Sequence, residues 1–143
     1  MSDYTKQLAW YSITPEKRTK SRLEDLRDKG GEPDMPELYE IEYLAKVLER
    51  CGVCKSGFNG PEPLTSVDVM EWQRGTKYPL SGWEFQAIID ASRAYCAQYH
   101  QSKDPLTPAP YRSKIDFNRE VVSDKLTLAF RARIKSDKEK ATK

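Results

Sequence analysis

The stretch SGWEFQAIIDASRAYCAQYHQ, residues 81–101, decides the fold class. Ser81 followed three residues later by Glu84 is a capping box: the serine oxygen accepts an early backbone N–H while the glutamate carboxylate reaches back to the N–H of the cap residue. Behind it Trp83, Phe85, Ile88, Ile89, Ser92, Tyr95, Cys96 and Tyr99 gather on one broad apolar face. The pattern predicts a helix over 82–101, wide enough on its apolar side to need other helices to cover it.

Upstream, Thr65 or Ser66 can cap a helix over 66–75, with Val67, Val69, Met70 and Trp72 offering apolar contacts and Gly75 closing it. Between Cys51-Gly52 and Pro63 the glycines and prolines read as a loop of about a dozen residues. Before that loop Leu38, Ile41, Leu44, Ala45 and Leu48 recur at helical spacing, so a core helix is expected over 37–50, opened by Pro36. Thr14 and Pro15 suit the cap and first position of a more charged helix over 15–29, whose large apolar residues are Leu23 and Leu26 and which stops at Gly30-Gly31. Residues 1–14 hold Tyr4, Leu8, Trp10, Tyr11 and Ile13 without a clean period and read as an aromatic N-terminal arm.

Downstream, three prolines within 105–110 mark a linker over 105–111, extended and polyproline-like. The remaining 112–143 is a basic tail in which Leu126, Leu128, Phe130, Ala132 and Ile134 alternate with polar residues at strand period, while Val122, Leu126, Ala129 and Phe130 also fit a helix. Either way its apolar side calls for docking on the body or on a partner. The fold expected is mainly α: a four-helix body over 15–104 flanked by the arm and an amphipathic basic extension. Its core should comprise Leu38, Ile41, Leu44, Leu48, Trp72, Trp83, Ile88, Tyr95 and Tyr99.

At 143 residues the chain has the length of one domain. Hydrophobic residues make up 38% and charged residues 32%, mean hydropathy is −0.79, and nothing approaches the roughly 18 consecutive apolar residues of a membrane span. The first residues lack a secretory pattern, so a cytosolic setting, the host cytoplasm under the resemblance given below, is the expectation, with no membrane partner. The net charge of +2 hides an asymmetry: residues 1–110 carry 14 Lys and Arg against 17 Asp and Glu, and residues 111–143 carry 10 against 5. A basic tail can meet an acidic partner or nucleic acid, or simply keep itself solvated.

All thiols and the single histidine fall in two clusters, Cys51-Gly-Val-Cys54 and Cys96 with His100. Four soft ligands match a structural zinc, and Cys96 and His100 share a helical face. Cys96 also belongs to the apolar stripe, where a thiol acts as a small hydrophobe; no cofactor is committed, with structural zinc the alternative. With one histidine, and without the serine-hydrolase, zinc-protease or phosphate-loop motifs, the chain is read as non-enzymatic and no catalytic residue is assigned. The carboxylate pairs Glu40 and Glu42, or Glu24 and Asp25, read as solvated helix surface. The outward positions of the 82–101 helix, Glu84, Gln86, Asp90, Arg93, Gln98 and Gln101, are a poor match for DNA phosphates. Only the tail has the charge for nucleic acid.

The order of short motifs resembles a known family. Leu23-Glu24-Asp25-Leu26, then Pro36 to Leu44, then Gly60-Pro61-Glu62-Pro63-Leu64-Thr65, then Val69-Met70-Glu71-Trp72, Pro79-Leu80-Ser81-Gly82-Trp83-Glu84 and Ala91-Ser92-Arg93-Ala94-Tyr95 are similar to the tail assembly chaperones encoded in the tail region of long-tailed bacteriophages. The likeness covers about 22–100; Cys51, Cys54 and the tail depart from the pattern. It implies a non-enzymatic protein that binds the tape measure protein or tail tube subunits during virion assembly, alone or as a homo-oligomer. The partner-contacting candidates are Trp10, Tyr11, Leu128, Phe130 and Ile134, flanked by Arg131 and Arg133, each with packing onto the body as its alternative. The rival functions are a small nucleic-acid-binding protein using the basic tail, with or without a zinc-stapled body, and a structural virion component.

Overall fold

A computed structural model describes residues 1–113, which form one unit, Met1–Ser113. The tail positions Leu128, Phe130, Arg131, Arg133 and Ile134, and with them the choice between helix and strand, lie outside the described residues. Along the unit run α1 (Ser2–Ser12), α2 (Arg22–Asp28), a 3-10 turn at Tyr39–Ile41, α3 (Glu42–Cys51), β1 (Lys55–Gly57), β2 (Gly60–Glu62), α4 (Ser66–Thr76) and α5 (Gly82–Gln101). The protein is mainly helical, as its sequence predicts, with a small two-stranded sheet added.

α5 organises the rest. Its capping box is formed as the sequence predicts, with the Ser81 N–H donating to Glu84 Oε2 at 2.7 Å. Ile88, Ile89 and Ala91 of α5 meet Leu44, Val47 and Leu48 of α3, Leu64, and Val69 of α4 in the main core. α4 begins with a second capping box, Thr65 with Asp68, and α2 with a third, Ser21 with Glu24. That third box corrects the expected start at Thr14-Pro15. The Glu16 N–H donates instead to the Lys103 carbonyl at 2.9 Å and Arg18 N–H to the Pro15 carbonyl at 3.1 Å, so the segment turns there.

The N-terminal arm is a correction as well. Residues Ser2–Ser12 are helical and make the most extensive interhelical packing of the unit, against α5, burying Ala9 and Tyr11, with Ile13 buried just beyond. Two polar residues, Thr5 and Gln7, are buried on the same helix. Thr5 Oγ1 donates to the Ser2 carbonyl at 3.0 Å. The Gln7 amide donates to the Asp34 carbonyl at 2.9 Å and its oxygen accepts from the Tyr111 N–H at 3.1 Å. Burial of such groups is tolerated because each is hydrogen-bonded.

The expected loop over 52–63 contains an antiparallel hairpin pairing Lys55 with Glu62, Ser56 with Pro61 and Gly57 with Gly60. Gly60 has φ +122, and a Cβ there would lie 3.3 Å from His100 Cε1, so glycine lets the hairpin close against the end of α5. Ser92, fully buried, anchors the hairpin's ends: its hydroxyl donates to the Val53 carbonyl at 2.7 Å and accepts from the Leu64 N–H at 2.9 Å.

The proline-rich segment is no detached spacer. Trp10 Nε1 donates to the Thr107 carbonyl at 2.9 Å, Arg22 donates to the carbonyls of Ser102 and Asp104 at 2.9 and 3.0 Å, and Ser113 N–H donates to Asp34 Oδ2 at 2.8 Å. The unit therefore runs to Ser113 and not to 104. Of the expected core, Leu44, Leu48 and Ile88 are buried, while Leu38, Ile41, Trp72, Tyr95 and Tyr99 are half-buried. Trp83 is a correction: in the first turn of α5 it is 57% exposed, and Phe85 packs against the core instead.

Candidate functional site

Three distant segments enclose a groove of about 510 Å³ on the α1–α3 side of the unit. α3 supplies Glu42, Ala45, Lys46 and Glu49, which share a face by helical spacing. α1 supplies Tyr4, and the segment leading into the 3-10 turn supplies Pro36 to Tyr39. Ala45 is buried, Tyr4 and Leu38 are half-buried, and Tyr39 stands out at 81% exposed.

Tyr39 is held in a left-handed backbone conformation, φ +43, which a bulky side chain rarely adopts. The Glu37 carboxylate is the first cause of the raised pKa of its phenol. Burial raises the pKa of Tyr4 most, with the charges of Glu49 and Glu42 adding to it. Lys46 pairs with Glu42 at 3.6 Å in an exposed bridge. Three carboxylates against one ammonium leave the groove negative, with apolar walls beneath.

On α1, Trp10 and Tyr11 meet edge to face with centroids 5.0 Å apart, and the Arg22 guanidinium sits 4.7 Å above the Trp10 ring. Burial pulls the Arg22 pKa down, with Asp104 opposing. The Tyr11 hydroxyl accepts from the Asp34 N–H at 3.0 Å. Trp10 is half-buried and Tyr11 buried, so both pack within the unit, which was the alternative reading of these two partner-contacting candidates.

The four-residue zinc set does not assemble among the described residues. Cys54 lies near enough to Cys96 for each thiol to act on the other's pKa, which brings the segment before β1 beside α5. Cys51, however, packs against the main core, and His100 lies exposed beside Gly60. Among the described residues, no group of three or more His, Cys, Asp or Glu is placed to hold a metal ion. Burial pushes the Cys51 and Cys96 thiols up to about 11, which disfavours the thiolate that a ligand or nucleophile requires.

The sequence patterns miss the groove because no local signal announces it: its walls come from positions 4, 36–39 and 42–49. The Ser21-x-x-Glu24 box, by contrast, carries the same signature as Ser81-x-x-Glu84. Among the described residues no helix is long and apolar enough to cross a membrane. Compared with protein-family models, with curated proteins and with solved structures, the chain matches none.

Proposed function

We propose that this protein is a protein-binding assembly factor of the tail assembly chaperone type, holding apolar segments of a tape measure or tail tube subunit while a phage tail is built. The observation that carries the reading is the apolar-walled groove with the exposed Tyr39 at its rim. Phe58 at the hairpin tip, 101% exposed, and Trp83, 57% exposed, add large apolar side chains to the outer surface. Exposed aromatics of this kind suit a contact surface, where Tyr and Trp are enriched. The motifs that carry the family resemblance fall on α2, the 3-10 turn and α3, β2, α4 and α5, in that order along the chain.

Co-expression of the full chain with tape measure and tail tube proteins of long-tailed phages tests the proposal. The expected result is a complex that survives purification and a larger fraction of the tape measure protein in solution. Retention of neither protein, with their solubility unchanged, overturns it. Recovery of the chain in purified particles would favour a permanent virion component instead, and salt-sensitive retention on DNA would favour the nucleic-acid reading.

A further inference from the structure

The groove carries an assignment of partner chemistry, which rests on the protein-binding reading above. We infer that it is the docking site for a basic amphipathic helical segment of a partner protein, whose apolar side chains enter between Tyr4 and Ala45 while its Lys or Arg residues meet Glu37 and Glu49.

Charge selects this occupant. Glu42 is already bridged to Lys46, so Glu37 and Glu49 set the sign of the rim, and both act on groove phenols: Glu37 on Tyr39, Glu49 on Tyr4. An acidic or neutral segment would leave that negative potential unmatched, whereas a cationic one is steered to it and fixed in register. Size selects the binding mode. A space of about 510 Å³ takes a few large side chains and not the full width of a helix. The occupant therefore lies along the groove and inserts one stripe, as amphipathic helices do in apolar grooves.

Tyr39 points the same way. A tyrosine 81% exposed in a left-handed conformation gains little from burial and bears backbone strain, yet it stands at the groove's edge, which Glu37 also lines. A backbone outlier of this kind is the sort of position that serves contact, and tyrosine is among the side chains enriched at interface hot spots.

The test uses the full chain and two synthetic amphipathic helices, one of leucine and lysine, the other of leucine and glutamate, titrated calorimetrically at physiological ionic strength. The lysine peptide should bind and the glutamate peptide should not. Tyr39→Gly and Glu49→Lys should each weaken binding about tenfold or more. Glycine relaxes at φ +43, so the first variant should melt no lower than the parent, which separates lost contact from lost folding. Asp90→Lys, on the exposed side of α5, should leave binding unchanged.

Equal binding of both peptides, binding that survives both groove variants, an Asp90→Lys loss as large as that of Glu49→Lys, or no binding at all overturns the assignment. Peptide affinity that rises on Arg131→Glu with Arg133→Glu gives the groove to the chain's own terminus, and affinity that falls as the protein's own concentration rises gives it to a second copy; each overturns the assignment. Failure here leaves the co-expression test untouched, so the groove and the wider protein-binding reading fall separately.

Discussion

The Tyr43 hydroxyl donates to Glu84 Oε1 at 2.6 Å, so the glutamate that completes the cap of α5 is also tied to α3. One carboxylate thereby serves two elements, accepting from the Ser81 backbone with one oxygen and from the phenol with the other. The hydrogen bond to this carboxylate is the first cause that pushes the Tyr43 phenol up to about 12. A phenol with a raised folded pKa contributes stability that is present in full below its unfolded value near 10.0 and is lost as pH rises through about 12. Tyr43→Phe should therefore lower Tm at neutral pH and remove the latest-titrating phenol from an absorbance titration. Glu84→Ala should lower Tm further, and the double variant should fall short of the sum of the two.

Ser92→Ala leaves the Leu64 N–H and the Val53 carbonyl without their partner in a buried setting. An unsatisfied buried group costs about 1–3 kcal/mol, so denaturant melts should show a loss of about 2 kcal/mol or more. Amide exchange at Leu64 should accelerate more than exchange in the middle of α5. An unchanged melt would mean that the hairpin is held from elsewhere.

Asp68 joins the α4 capping box to the hairpin. It accepts from Thr65, first among its causes, and pairs with Lys55 Nζ at 2.9 Å, which together hold its carboxyl down at about 2 from an ordinary 3.8. The sign follows: this contribution is present above 3.8 and fades as pH falls toward 2. The Tm gap between the parent and Asp68→Ala should be open at neutral pH and close in acid, as followed by circular dichroism across that window.

Trp10→Phe removes the indole donor to Thr107, and Tyr11→Phe the hydroxyl that accepts from Asp34. Each should cost about 1 kcal/mol in chemical denaturation, the net worth of one hydrogen bond. Limited proteolysis should cut Trp10→Phe faster within 103–113. Binding of the leucine and lysine peptide should be unchanged in both, because these side chains serve the unit's own packing.

The sequence made α5 legible for a local reason: its cap and its apolar stripe lie within one continuous run, and the helix begins and ends where that run does. α4 and α3 were readable in the same way, although the first turn before α3 is 3-10. α1 escaped because two of its buried positions are Thr5 and Gln7, and Gln7 finds its partners 27 and 104 residues away. A polar residue satisfied only in the tertiary structure interrupts the periodicity on which helix reading depends. Thr14-Pro15 is the start read from the sequence, whereas the reciprocal box of Ser21 with Glu24 sets the start of α2. Ligand counting failed for the thiols, because Cys54 and Cys96 meet while Cys51 and His100 are placed elsewhere. The groove depends on the left-handed turn at Tyr39, which no residue type at that position announces.

The bridge that Gln7 makes to Tyr111 spans 104 residues. On a ribosome adding about 5–20 residues per second, the partner of that amide emerges roughly 5–20 s after the glutamine itself. α1 must wait while α2 to α5 are all synthesised before its long-range bonds can close. For that interval the nascent chain exposes the surface that α5 later covers, and emergence of the segment around Tyr111 becomes the step at which the unit can complete itself.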